Sequence, residues 1–168
     1  MFRRSVLARI GAGVGILGGY VAWNRYQSPS LPDGIDSKTL YVTGNVFGEP
    51  DREDGAPGPR EQRQRVIGDE ESATEGITFD ESAVEFAEET DFDDSYLIIV
   101  QTGMQTEPDL ELKGISRIAD GLHLAVSVEH PWGRGVNDNL GTHSLLIRVT
   151  DERNGIPESV SVDITGYV

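Results

Sequence analysis

His123, His130 and His143 are the residues whose chemistry is most easily put to use. The chain has only these three histidines, beside 29 aspartates and glutamates. A catalytic zinc would need two or three imidazoles converging with a carboxylate. No H-E-x-x-H or short H-x-H pair supplies that from one helix or strand. His123 falls on the polar parity of a predicted strand, His130 ends that strand, and His143 starts another. Exposed imidazoles, or imidazoles bonded to loop carbonyls, are the expectation, and convergence at the strand ends is the enzyme alternative. A serine nucleophile lacks its G-x-S-x-G elbow, and no carboxylate pair is singled out for glycosidase-type chemistry. Cysteine is absent, which excludes thiol nucleophiles, disulfides and Cys-ligated zinc or iron–sulfur centres. Asp91, Asp93 and Asp94 crowd around Phe92, but the glycine turn of a calcium loop is missing. The expectation is therefore no catalytic residue, no cofactor and no metal.

Recognition chemistry is better represented. The stretch His130–Leu140 (HPWGRGVNDNL) is a Gly/Asn loop carrying Trp132, Arg134, Asn137, Asp138 and Asn139. An aromatic beside a guanidinium on a loop is the residue pairing that dominates interface energetics. The competing assignment has Trp132 plugging the end of a sheet.

Charge sorts the chain into two parts. The formal net charge is -15 over 168 residues, with 12 arginines and two lysines, Lys38 and Lys113. Residues 1–27 carry Arg3, Arg4, Arg9 and Arg25 and no acid, so the remainder is -19. A body this acidic repels phosphates, so nucleic acid is not expected as a partner. An acid-rich, lysine-poor, cysteine-free composition resembles domains from salt-loving archaea. There, dense carboxylates keep the surface hydrated while molar salt screens their repulsion to a length of about 3 Å.

The first residues, Met1-Phe2-Arg3-Arg4-Ser5-Val6-Leu7, resemble a twin-arginine export signal, with Arg3 and Arg4 as the recognised pair. Ile10–Trp23 (IGAGVGILGGYVAW) follows as 14 uncharged residues, the apolar region of such a signal. No small-x-small cleavage site comes after it. Fourteen helical residues span about 21 Å, short of the roughly 30 Å hydrocarbon core; starting at Val6 with Arg9 snorkelling gives about 27 Å. Gly13-x-Gly15-x-x-Gly18 matches a dinucleotide fingerprint only as a string, since no βαβ context surrounds it. Three arginines before the span and one after it put the N-terminus in the cytoplasm and the body outside.

The elements that must hold these residues are mostly strands. Residues 28–39 read as a Pro/Ser/Asp linker and Leu40–Phe47 as a first strand. Residues 48–76 are rich in Gly, Pro and charge and nearly devoid of apolar residues before Val66, so a disordered acidic loop is expected there. A helix is predicted to open at Thr78 or Asp80 and run to about Glu89. Tyr96–Gln101 (YLIIVQ) reads as a central strand buried on both faces. Leu110–Ile118 follows with a bulge at Gly114, then an Asp120-Gly121 turn. Leu122–Glu129, His143–Thr150 and Val160–Thr165 alternate as strands with one face inward.

Residues 91–168 resemble the protease-complex-associated PrcB C-terminal domain family. The resemblance rests on Asp91-Phe92-Asp93 before an apolar strand, Thr102-Gly103 after it, the turn at Asp120-Gly121, a strand ending in Pro131, and a last pair opening at Thr142–Leu145. Where such domains carry a Gly-aromatic pair, this chain has Asp109-Leu110-Glu111. The resemblance implies a non-enzymatic β-module with no catalytic residues to carry over.

Together these features predict a mainly β fold. It is a small antiparallel sandwich or open barrel over residues 40–168 with one short helix, preceded by a hydrophobic signal or anchor helix over 1–27. The expected function is an exported or membrane-anchored, non-catalytic domain at the cell membrane or outside the cell. It would contact the membrane through its N-terminus and a protein partner at the cell surface. The alternative is an extracytoplasmic hydrolase or metal-dependent enzyme built on the histidines.

Overall fold

A computed structural model describes residues 28–47, 57–105, 108–130 and 139–167. The predicted N-terminal helix lies outside them. In chain order the elements are β1 (Ile35–Thr43), β2 (Gln62–Ile67), α1 (Glu70–Gly76), α2 (Glu81–Glu88), β3 (Ser95–Gln105), β4 (Asp109–Ile118), β5 (Gly121–Glu129), β6 (Leu140–Asp151) and β7 (Ser159–Thr165). They form a four-stranded sheet, β1-β6-β3-β2, and a three-stranded sheet, β4-β5-β7.

The near-continuous apolar runs of β3 and β6 make these the central strands, because both their faces are covered. Successive side chains alternate sides. On one face Tyr96, Ile98 and Val100 lie opposite Val149, Ile147 and Leu145. They pack against Leu112, Leu122, Leu124 and Val126 of the three-stranded sheet. On the other face Leu97, Ile99 and Leu146 pack against Ala83, Phe86 and Ala87 of α2 and Ala73 of α1. The layers are helices, four-stranded sheet and three-stranded sheet, and among the described residues no barrel closes.

Asp80 caps α2 by accepting from the Ala83 amide, which settles the choice between Thr78 and Asp80. Arg148, mid-strand in β6, ties down the helix's other end. Its Nη2 donates to the Phe86 carbonyl at 2.6 Å, its Nε to Thr90 Oγ1 at 2.9 Å, and its guanidinium lies 4.5 Å from the Phe86 ring centre. A cation at a helix C-terminus satisfies orphan carbonyls and complements the dipole.

Several expectations need correction. Residues 57–76 contain β2 and α1, so the described residues hold two helices where one was expected in the body. The sequence Gln62-Arg63-Gln64-Arg65 has no apolar period, yet an edge strand needs only the backbone of β3 beside it and a few anchors. Val66 and Ile67 supply those, with Arg65 resting 5.1 Å from the Phe47 ring. The same edge reaches across to the other sheet, where Gln62 and Gln64 donate to the Val162 and Val160 carbonyls of β7 at 2.8 and 3.2 Å. β1 begins at Ile35, inside the predicted linker, and pairs with β6 as far as Thr43. The first fixed point of the linker comes earlier still. Ser30 bridges Gly114 in parallel, its amide donating to the Lys113 carbonyl and its carbonyl accepting from Ile115, each at 2.9 Å.

The second sheet is mixed. β7 runs parallel to β5, against the antiparallel expectation, while β4 and β5 form the predicted hairpin with its irregularity between Leu112 and Gly114. The hairpin turn is Ala119-Asp120, because Ile118 pairs with Gly121. Gly121 answers to a different demand: the Ser159 carbonyl passes so close that a Cβ could not fit.

Candidate functional site

The registers bring chemistry-bearing residues to the two ends of the sandwich. One pole collects the end of β1, the start of β2, the end of β3, the starts of β4 and β6, and the ends of β5 and β7. We call it the loop pole, because β5 ends and β6 starts there, on either side of the segment predicted as a Gly/Asn loop. Of the predicted recognition residues, Trp132, Arg134, Asn137 and Asp138 lie outside the described residues. Asn139 is exposed and is followed by Leu140, the exposed first residue of β6.

His143 is fully buried, which corrects the expectation of a strand-end histidine: β6 starts three residues earlier, so His143 faces the interior. Its ring stacks on Tyr41 with centroids 5.9 Å apart, and its Nδ1 shares a hydrogen bond with the Tyr41 hydroxyl. That hydroxyl also lies 3.1 Å from the Pro108 carbonyl, joining β1, β6 and the start of β4. His143 Nε2 has no hydrogen-bond partner. Burial pushes the imidazole pKa down, partly opposed by the nearby Gln105 and Met104 carbonyls, so His143 is held neutral. Beside it, the Gln101 amide donates to Asn45 Oδ1 at 3.0 Å and Ser144 Oγ at 2.9 Å, and Ser144 donates to the Gly44 carbonyl at 2.7 Å. Thr102 Oγ1 and the Tyr167 hydroxyl are 2.7 Å apart. Gly103 is a place where only glycine fits, because the Pro57 and Gly58 carbonyls press against the position of its Cβ. His130, on the other side of the loop, donates from Nε2 to the Gly166 carbonyl at 3.1 Å.

The opposite pole is acidic. Segments 33–36, 69–71, 91–94 and 151–152 meet at the ends of the same strands and contain ten acids and no base. Arg117 of β4 crosses from one sheet to the other and grips Asp151 of β6 with both nitrogens, at 2.8 and 3.0 Å. The Asp151 side chain is 2% exposed. Its carboxyl also accepts from the Arg153 and Asn154 amides, at 3.0 and 3.1 Å. The Arg117 hydrogen bond, with help from those amides, holds the Asp151 pKa down to about 2.

His123 is separate from both. It lies on the outer face of the three-stranded sheet, with Nδ1 2.8 Å from Ser161 Oγ and Nε2 3.6 Å from Asp163 Oδ2. The composition is that of a hydrolase triad, but the geometry is that of parallel neighbours on a wet sheet face. Ser161 is the register partner of His123, and the Asp163 side chain is 77% exposed. Sequence reasoning missed this cluster, because polar parity placed each residue outward but nothing in the pattern said that β7 would lie beside β5.

The three histidines thus occupy an outer sheet face, a pole and the interior. Among the described residues no group of three or more His, Asp or Glu is arranged to hold a metal ion, and no helix is long and apolar enough to cross a membrane. No family model, no curated protein and no solved structure matches the chain.

Proposed function

We propose that this chain is an exported, membrane-tethered and non-catalytic β-domain that serves at the cell surface as a binding or structural module. The observation that carries the reading is the connection between its two parts. The apolar run ending at Trp23 is followed within seven residues by Ser30, which is hydrogen-bonded into the edge of β4. The export-type segment and the β-body are therefore coupled almost directly, as a short stalk couples a tether to its domain. The resemblance to the PrcB C-terminal domain family supports a non-enzymatic module. The dispersal of the histidines counts against the hydrolase alternative, because His143 is spent inside the core on Tyr41 and His123 faces Ser161 across a flat sheet.

The test is export itself. Replacing Arg3 and Arg4 by Lys keeps the charge but removes the guanidinium pair that a twin-arginine receptor would read. The expected outcome is accumulation of the full-length chain in the cytoplasm. Unchanged delivery of the Lys-Lys variant to the cell surface would contradict the twin-arginine reading.

A further inference from the structure

We propose that the seam between β2 and β7 binds an extended peptide strand that carries apolar residues inward and acidic residues outward. This rests on the binding-module reading and gives it a partner, but it does not depend on the tether. Among the described residues β2 ends the four-stranded sheet and β7 ends the three-stranded one. Gly103 donates to the Glu61 carbonyl and Ser159 to the Asp120 carbonyl, so the odd-numbered residues of both strands face their own sheets. Successive backbone groups alternate sides. The N–H and C=O groups of Gln62, Gln64, Val160 and Val162 therefore point into the seam.

Glutamine side chains span that seam. Gln62 Nε2 donates to the Val162 carbonyl at 2.8 Å and Gln64 Nε2 to the Val160 carbonyl at 3.2 Å. These bonds set β2 and β7 in an antiparallel register, but no main-chain ladder joins them. Directly paired strands lie about 4.8 Å apart, so a strand inserted between two edges needs about 9.6 Å. β2 and β7 approach within 8 Å at Cα. A strand enters once the edges part by roughly 2 Å and the two amides swing aside. The opposite seam already uses this device. Where β1 faces β4, Ser30 lies beside the β4 edge, its amide donating to the Lys113 carbonyl and its carbonyl accepting from Ile115. There the chain supplies main-chain partners to a sheet edge. Between β2 and β7, side-chain amides stand in for them.

Side chains around the seam define the partner. Inside it, Val66, Val160 and Ile164 pack against the core but are only partly buried, so apolar residues of an incoming strand complete their burial. Outside it, the same register sets Arg63 level with Ser161 and Arg65 level with Ser159. A residue entering either row meets a guanidinium on one flank and a hydroxyl on the other, and a carboxylate accepts from both. Arg63 is shared with Glu61 at 3.2 Å, and Arg65 rests on the Phe47 ring. One row further, Glu61 lies level with Asp163, which excludes a third acid there.

The test follows amide exchange in the full chain, held in detergent micelles at low salt, with and without a capped heptapeptide Thr-Val-Glu-Val-Glu-Val-Thr. Exchange at Gln62, Gln64, Val160 and Val162 is expected to slow about tenfold or more at saturating peptide, because main-chain bonds hold the added strand. Replacing both glutamates of the peptide by lysine should weaken binding about fivefold or more. N-methylation of its valines, or separately of its glutamates, should each weaken binding about tenfold or more, since alternate amides bond opposite edges. These changes lie in the peptide, so none depends on a variant folding. Arg63→Gln with Arg65→Gln should erase the preference for glutamate and keep the protection. No binding, protection confined to other strands, or binding that survives both N-methylations would overturn the site. So would exchange at these four amides that is already slow without peptide. Slowing that rises with protein concentration would assign the seam to a second copy, and slowing independent of concentration to a segment of the same chain. None of these outcomes bears on export, so the two readings fail separately.

Discussion

The two poles of the sandwich join the same pair of sheets by opposite means. At the acidic pole the link is ionic: Arg117 and Asp151 form a two-pronged pair with a nearly buried carboxylate. At the loop pole it is neutral: the Tyr41 hydroxyl is shared between His143 and the Pro108 carbonyl, beneath a ring stack. An ionic clasp suits a region crowded with carboxylates, because an arginine there both links the sheets and reduces the local repulsion. A neutral clasp suits a buried site, because it joins the sheets without placing an uncompensated charge in the interior. The comparison teaches that the two sheets are joined by different chemistry at their two ends, and that the ionic link lies where four short described segments collect ten acids.

The largest expected effect breaks the ionic clasp. Asp151→Ala removes the partner of Arg117 and the acceptor of the Arg153 and Asn154 amides; because the Arg117 side chain is still a quarter exposed, a loss of about 2–3 kcal/mol is expected, below the range for a fully buried pair. Urea denaturation measures it, and a loss under about 0.5 kcal/mol, the range of surface substitutions, would deny the clasp its role.

Acid separates the poles next. The Asp151 pKa falls from 3.8 to about 2 on folding. A depressed carboxylate contributes stability that is fully present above the unfolded pKa and is lost as pH falls through the folded one. Between about pH 4 and pH 2 the wild type should therefore lose roughly 2 kcal/mol that Asp151→Asn does not lose. His143 acts earlier. Its pKa is lowered by burial, so its contribution is full above the unfolded value of 6.5 and declines as pH falls below it. His143→Gln should flatten the stability profile just below pH 6.5 and leave the pH 4–2 limb unchanged; an unaltered upper limb would contradict the buried neutral assignment.

Tyr41→Phe sharpens the neutral side. It removes one hydroxyl and leaves His143 Nδ1 buried without its partner, a loss of about 1–2 kcal/mol by thermal or urea unfolding. The smallest effect per ion concerns salt. Self-repulsion among the body's acids should make the melting midpoint climb from low salt to molar KCl, and a midpoint indifferent to salt would remove the halophile reading.

The sequence made some of this legible and withheld the rest for identifiable reasons. Tyr96–Gln101 could be read as a two-faced central strand because apolar residues occupy both parities, and Leu122–Val128 as one-faced because they occupy only one. Asp80 could be read as a cap because its carboxylate needs only the amides that follow it. β2 could not be read, since Gln62–Arg65 takes its stability from the backbone of β3 and from its glutamines' reach to β7, neither of which is local. The direction of β7 was equally hidden, because period-two alternation is the same forwards and backwards. His143 was misplaced by three residues of strand start, enough to turn a surface imidazole into a core one. Of the recognition loop, only Asn139 and the base that carries it are in view.

The account depends most on a body held outside the cell by its own N-terminus. Protease treatment of intact cells, followed by fractionation and mass-spectrometric mapping of the surviving fragments, tests that directly. The account predicts that residues 28–168 are digested from outside while peptides from 1–27 stay with the membrane. A full-length chain in the soluble cytoplasmic fraction, untouched by the protease, would contradict it.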